Sequence, residues 1–223
     1  MILAIETATK LCSVALARDG VVLALRELES VKHIHAEKVN VFIAEVMEES
    51  DLALNALDAV AVGIGPGSYT GLRIGLSAAK GLCYALDKPL IGISTLQVLV
   101  NSALRTGVLK GASLWPMIDA RRMEVFTQPF GVDGKALGPV APLVLSEEWL
   151  AAEGQRVVFG DGADKATDLW RTGSGVHHLT GIRPTAAAAF MEAERRFAEG
   201  SFDDVAYLVP EYGKAANVTQ PKK

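Results

Sequence analysis

Residues 59–86 read AVAVGIGPGSYTGLRIGLSAAKGLCYAL and join two periodicities in one stretch. Ala59 to Ile64 is an unbroken apolar run of the length and composition of a strand buried on both faces. Gly65-Pro66-Gly67 stops it, and Ser68 or Thr70 can then offer a side-chain oxygen to the first free amides of a helix running to Leu86. On a helical wheel Arg73, Ser77, Lys80 and Tyr84 share one narrow polar face. The rest of the circumference is apolar or glycine, roughly twice the ~100° that a single core requires. Within that arc Gly71, Gly75 and Ala78 make a smooth strip beside a bulkier one of Leu72, Leu76, Ala79 and Cys83. A helical glycine costs about 1 kcal/mol against alanine, so close approach of another backbone is expected to offset it. Two arrangements satisfy this pattern. Either the smooth strip meets a partner helix, or the helix is buried wholly within its own domain.

Glycines ahead of a helix N-terminus also suit a phosphate. Here no Lys-Ser/Thr pair follows them, Gly63, Gly65, Gly67 and Gly71 miss the GxGxxG spacing, and Ser68 lacks the flanking glycines of a nucleophile elbow. The turn reads as structural.

Working outward, Ile2 to Ile5 is a buried strand ending at Glu6. Cys12 to Ala17 and Val21 to Leu28 are two more, joined by Asp19-Gly20, a preferred tight-hairpin dipeptide. A helix follows over 32–48, with Val39, Phe42, Ile43, Val46 and Met47 as its core stripe, while Ile34 and Val41 stand apart as a second contact face. After the central helix come a strand Leu90 to Ile93 and a helix from Ser94 to Leu104. Around Thr106-Gly107 the order restarts: strand Trp115 to Ile118 ending at Asp119, strand Glu124 to Phe130, an Asp133-Gly134 turn and another strand. A helix from Ser146, strand Arg156 to Phe159, turn Gly160-Asp161-Gly162, a helix to Trp170 and a helix Thr185 to Glu199 complete it. The end is extended from Tyr207, with mobile last residues. The period of about 113 residues indicates a duplicated β-β-β-α-β-α unit with mixed sheets, not a solenoid, and divides the chain into lobes 1–105 and 106–223, the final segment packing back on the first lobe.

Half of the 223 residues are hydrophobic, 22% are charged and the net charge is −4, without a basic run longer than a pair. That excludes disorder and argues against this chain alone holding a nucleic-acid backbone. Met1 leads straight into ILAIE, no apolar run reaches membrane-span length, and Cys12 and Cys83 suit reduced, buried thiols, so a cytoplasmic setting is expected. His33 and His35 diverge on a helix and His177-His178 are adjacent, so neither pair converges on one metal. The acids closing the first strand of each half, Glu6 and Asp119, have two readings: facing a metal-nucleotide across a cleft, or holding backbone amides of their own turns.

GPGSYTGLRIG, with IETAT near the start, HAE at His35 to Glu37, IDARRMEVF at Ile118 to Phe126 and FGDGA at Phe159 to Ala163, resembles the bacterial TsaB (YeaZ) family over most of the chain. The family's Pro-x-Tyr-Leu stands here as Pro210-Glu211-Tyr212-Gly213. The resemblance implies an α/β, two-lobed actin-like (ribonuclease H-like) fold and a role in making threonylcarbamoyladenosine beside the tRNA anticodon. It implies a non-catalytic, glycoprotease-like subunit that pairs with the metal-carrying paralogue TsaD and a TsaE ATPase. ATP or ADP then belongs to the complex, no cofactor to this chain, and tRNA is met only through the complex. The pairing surface lies on the helices matching residues 32–48 and 70–86, here Ile34, His35, Lys38, Val41, Gly71, Leu72, Gly75, Leu76, Ala78, Ala79 and Leu82. Whether the chain alone is monomer or homodimer stays open. The paralogue's His-x-x-x-His metal pair falls on Thr95 and Leu99, and leucine cannot ligate. The alternative, an ATP-dependent phosphotransferase using Glu6 and Asp119 for magnesium, lacks a lysine placed to reach a phosphate near either acid; a metallopeptidase lacks the histidine pair.

Overall fold

The computed structural model describes residues 1–30, 34–107, 112–171 and 175–214. The first lobe carries strands β1 (Ile2–Glu6), β2 (Leu11–Arg18), β3 (Val21–Glu29), β4 (Ala59–Gly65) and β5 (Leu90–Ser94), with helices α1 (His35–Glu49), α2 (Tyr69–Leu86) and α3 (Thr95–Leu104). The second carries β6 (Ser113–Asp119), β7 (Glu124–Thr127), β8 (Ala141–Val144), β9 (Arg156–Phe159) and β10 (Val176–Leu179). Its helices are α4 (Glu147–Ala151), α5 (Asp161–Asp164), α6 (Thr167–Trp170) and α7 (Ala186–Ala198). The sheet orders are β3-β2-β1-β4-β5 and β8-β7-β6-β9-β10. In each, the first strand of the repeat is central, with two antiparallel neighbours on one side and two parallel ones on the other. The duplication read from the sequence is therefore a duplication of topology.

Several boundaries differ from expectation. β7 ends at Thr127, because Pro129 and an isolated bridge at Phe130 replace its far end, and β8 starts only at Ala141. The helix expected up to Trp170 is two four-residue turns. β10 carries two histidines in four residues, VHHL, and gives no apolar signal although it pairs along its length with β9. The helix expected from residue 32 begins at His35. Positions 32 and 33, with His33, and the chain end after Lys214 lie outside the described residues.

Side chains of sheet one alternate between two cores. Leu3, Ile5, Val14, Leu16, Val60 and Val62 face α1 and α2, while Ile2, Ala4, Ala15, Ala17, Ala59 and Ala61 face α7 through Ala186, Ala189, Phe190 and Ala193. Alanine against alanine lets this helix sit close to the sheet. α3 leaves the first sheet, yet Leu96, Leu99, Val100 and Ala103 pack with Leu114, Ile118, Phe130 and Phe159 of the second half. The last helix of each repeat thus packs against the other repeat's sheet. A cut at 105 separates the sheets but not the cores.

The end of the chain returns to the first lobe and then leaves it. Asp203 bridges Leu90, Lys80 Nζ donates to the Ala206 carbonyl at 3.1 Å, and Glu211 N donates to Ile64 O at 2.7 Å. Tyr212 stacks on Tyr69 with centroids 4.8 Å apart, and Lys214 pairs with Glu124 of β7 at 2.5 Å. Among the described residues no helix is long and apolar enough to cross a membrane.

The two glycines of the smooth strip of α2 face inward, while Ala78 is half-buried. A Cβ on Gly71 would lie 2.1 Å from the Thr7 carbonyl oxygen and one on Gly75 2.3 Å from Thr7 Oγ1, while Thr7 Oγ1 donates to the Gly71 carbonyl at 2.8 Å. Gly71, Leu72, Gly75, Leu76 and Ala79 are all buried within this chain. The loop after β1 runs directly beneath the helix, which is why glycine is required there. Gly71→Ala should therefore lower the melting temperature and cost about 1–3 kcal/mol despite alanine's better helix propensity. Gly75→Leu should be worse. Calorimetry showing either variant as stable as the parent would place the loop elsewhere.

Candidate functional site

Between the lobes lies an open cleft of about 610 Å³. Its floor and walls come from the β1–β2 turn (Ala8, Thr9, Lys10), the start of α2 (Gly67 to Thr70), the β6–β7 turn (Asp119 to Arg121), Phe126 and Asp161, and Tyr212 stands at its mouth. The two turns occupy the same topological place in the two repeats. Ser68 caps α2 by accepting from Gly71 N at 3.3 Å.

Glu6 does not reach this cleft. Its carboxyl is buried against Gly63, Oε1 accepts from Ala8 N at 2.8 Å, Oε2 has no hydrogen-bond partner among the described residues, and the Thr95 hydroxyl neighbours it. Burial pushes its pKa up to about 7, against the pull of the hydrogen bond from Ala8 N. Of the two readings of these acids, the cleft-facing one does not hold for Glu6, because β1 turns that side chain against Gly63. Like Asp119, whose Oδ1 accepts from Arg121 N at 2.8 Å, it takes a backbone amide of its own turn, as the second reading has it. The carboxylate that stands with Asp119 is Asp161, whose Oδ1 accepts from Asp119 N at 3.0 Å. Burial, reinforced by the Asp119 charge, raises the Asp161 pKa.

Asp119 is held in its own turn by Arg121 N at 2.8 Å and by Lys165 Nζ at 2.5 Å, and Lys165 also donates to the Glu124 carbonyl at 2.6 Å. A lysine therefore does stand beside this acid, 46 residues away in sequence, and Lys10 lines the cleft opposite. The fold brought them together where sequence proximity did not. Next to them Asp164 accepts from Arg183 at 2.6 Å and lies 3.0 Å from His178 Nε2, and Arg183 reaches Glu29 of β3 at 3.3 Å, so the network ties the two lobes. Among the described residues no group of three or more His, Cys, Asp or Glu is placed to hold a metal ion. Thr95 and Leu99 are fully buried on α3.

A second concavity, about 560 Å³, runs between α1 and α2. Ala36, Val39 and Asn40 line one side and Tyr69, Thr70, Arg73, Ile74, Ser77 and Ala78 the other. Of the eleven residues assigned to a partner surface, Ala78 alone lines this groove. Val41 is exposed, and Ile34, Lys38 and Leu82 are half-buried, Leu82 against the first core. His35 is buried, its Nε2 2.8 Å from the Thr9 carbonyl oxygen, and together with Gly71, Leu72, Gly75, Leu76 and Ala79 it belongs to the chain's own interior. The groove's side of α2 includes Arg73 and Ser77, the face that the wheel marked as polar. The missed signal was that this polar face is flanked by Tyr69 on one side and by Ile74 and Ala78 on the other.

The tip of the β6–β7 hairpin is strained. Arg121 and Arg122 have φ of 72° and 49°, the left-handed region, which costs about 1–2 kcal/mol per non-glycine residue.

A family model described as TsaD, tRNA N6-adenosine threonylcarbamoyltransferase, matches residues 29–211. The tRNA threonylcarbamoyladenosine biosynthesis protein TsaB of Escherichia coli K12 is 34% identical over 221 residues, covering 95% of this chain and 93% of that protein. The protein of the same name from Bacillus subtilis 168 is 33% identical over 152 residues, 67% of this chain and 64% of that one. YeaZ from Pseudomonas aeruginosa superposes with a TM-score of 0.80 at 27% identity, covering 95% of this chain and 98% of that one. The activator of 2-hydroxyisocaproyl-CoA dehydratase from Clostridium difficile shares only the two-lobed actin-like fold, with a TM-score of 0.50 at 9% identity over 89% of this chain and 97% of that one.

Glu6 gives a test of this geometry. An acid whose pKa rises on folding keeps its proton in the native state while the unfolded chain has lost it. Its stabilising contribution is full below about pH 4.5 and falls until about pH 7. The stability difference between Glu6→Gln and the parent should accordingly shift in favour of the variant by up to about 3 kcal/mol from pH 4 to pH 8. Chemical denaturation at both pH values measures it. A difference independent of pH would mean that the carboxyl is hydrated.

Proposed function

The chain belongs to the TsaB family of tRNA threonylcarbamoyladenosine biosynthesis proteins, and from that membership we propose that it acts as a non-catalytic subunit pairing with a TsaD-like paralogue through the α1–α2 face. The observation that carries this reading is the groove between those helices. It is open, it is bounded by Ala36, Val39, Ile74 and Ala78, and α2 sits directly on the Thr7 loop on its opposite side. A helix pair presenting such a channel suits a second helix pair of the same kind, ridges into grooves.

Catalysis then belongs to the partner. The positions of the paralogue's metal pair hold a threonine next to Glu6 and a leucine packed in the inter-lobe core, and neither supplies a ligand. ATP or ADP enters with the assembled complex and a TsaE-like ATPase, in the cytoplasm, and tRNA is engaged by the complex. With a net charge of −4, the isolated chain should bind tRNA more weakly than about 10 µM at physiological salt.

The cleft supports a second reading, nucleotide bound by this chain itself, because Lys10 and Lys165 stand around Asp119. Magnesium-dependent ATP turnover by the purified chain, abolished by Asp119→Asn, would favour it. The pairing reading is tested at Ser77, exposed in the groove and clear of the core. Ser77→Arg should keep the parent melting temperature, weaken capture of the TsaD-like paralogue at least tenfold, about 1.4 kcal/mol, and abolish tRNA threonylcarbamoylation in cells that depend on it. Unchanged capture would exclude this face.

A further inference from the structure

We propose that the hairpin tip Arg121-Arg122, with Lys10 across the cleft mouth, is a contact site for the phosphodiester backbone of RNA. The proposal rests on the tRNA-modification reading and deepens it by naming a surface.

The backbone is the first observation. Arg121 and Arg122 sit at two successive left-handed positions, closed by Glu124 N to Arg121 O and Ala120 N to Glu124 O, both 3.1 Å. Here Ala120 and Glu124 enclose a three-residue loop, Arg121 to Met123, and left-handed backbone is met at least cost by glycine, asparagine or aspartate. The two-residue turn of the first repeat uses such residues, Asp19-Gly20, with φ of 50° and 77°. Two arginines at the other tip are not what folding selects, and strain held at an exposed tip points to use of the side chains.

Charge is the second. Arg26, Arg171, Arg183, Arg195 and Arg196 each meet a carboxylate, whereas among the described residues neither Arg121 nor Arg122 does. Arg121 and Lys10 line the same cleft from equivalent turns of the two repeats. Among the described residues Arg18, Arg73, Arg105 and Arg156 likewise meet no carboxylate, but Arg73 lies on the Tyr69 ring and Arg105 and Arg156 donate to backbone carbonyls. Of the described residues only this hairpin sets two such arginines side by side, with Lys10 lining the same cleft. Guanidinium groups on a rigid tip match phosphate oxygens in fork geometry. The third observation is position: Tyr69 and Thr70 line both this cleft and the α1–α2 groove, so the rim adjoins the face assigned to the partner, and RNA held by a complex would pass beside it.

The test uses the chain assembled with its TsaD-like paralogue and measures affinity for unmodified tRNA over a range of salt. Arg121→Asn/Arg122→Gly relaxes the turn and removes both charges; Arg121→Lys/Arg122→Lys keeps the charges. The Asn-Gly variant should melt no lower than the parent and pair normally, while the slope of log K against log salt becomes shallower by about 1.4–1.8, or 0.7–0.9 for each phosphate that is no longer neutralised. The Lys-Lys variant should retain the parent slope. Unchanged slope and affinity in an Asn-Gly complex that still pairs and modifies tRNA would overturn the site alone, as would loss of ATP or ADP binding with tRNA affinity intact. Failure of the parent chain to pair or to support modification would overturn the reading under Proposed function and this site with it.

Discussion

Contact between the Thr7 loop and the underside of α2 governs how the first lobe is allocated. Thr7 gives its carbonyl to the space beneath Gly71 and its hydroxyl to the Gly71 carbonyl, and Ser68 N bonds the Ala8 carbonyl at 2.7 Å. Once that loop is threaded under the helix, the glycine strip must point in. Leu72, Leu76, Ala79 and Cys83 follow it into the core. The helix then turns Tyr69, Arg73 and Ser77 outward, and the groove with α1 is what remains. The open groove is thus a consequence of a close contact on the opposite side.

Much of this was legible because period and punctuation agree. The apolar run to Ile64, the Gly-Pro-Gly stop and the cap at Ser68 marked β4 and α2, and the recurrence of strand, acid and Asp-Gly turn marked the duplication. What a wheel supplies is an angle, not a depth. Gly71 and Gly75 were correctly read as a close-approach strip, but whether the approaching backbone comes from this chain or another depends on where a loop 64 residues earlier runs. β10 was invisible for a different reason. It is an edge strand carrying His177 and His178, and His178 is partnered by Asp164 instead of packing in a core. Strand pairing made it, and pairing leaves no mark on local hydropathy.

The cleft illustrates the same limit for charge. Glu6 and Asp119 are equivalent in sequence order, yet one is sealed against Gly63 with a pKa near 7 and the other is half-open and held by Lys165. Equivalence of position in a repeat does not carry equivalence of solvation. Asp161, read only as part of a turn, is the acid that the fold places beside Asp119, and burial raises its pKa with that neighbour's charge adding to the rise. The lysines that the linear chain keeps distant arrive from α5's end and from the β1–β2 turn.

The chain end connects these regions mechanically. It crosses from the edge of β5 along α2, where Lys80 holds it, stacks Tyr212 on Tyr69 and ends on β7 through Lys214 and Glu124. Tyr69 also takes the Arg73 guanidinium on its ring, 5.1 Å from the centroid. One aromatic side chain therefore contacts the groove, the cleft mouth and the strap that reaches the second lobe. Any partner that shifts Tyr69 when it fills the groove must also act on Tyr212, and through it on the β7 hairpin. The route is a run of direct contacts, so a change at the α1–α2 face has a physical path to the rim where Arg121 stands.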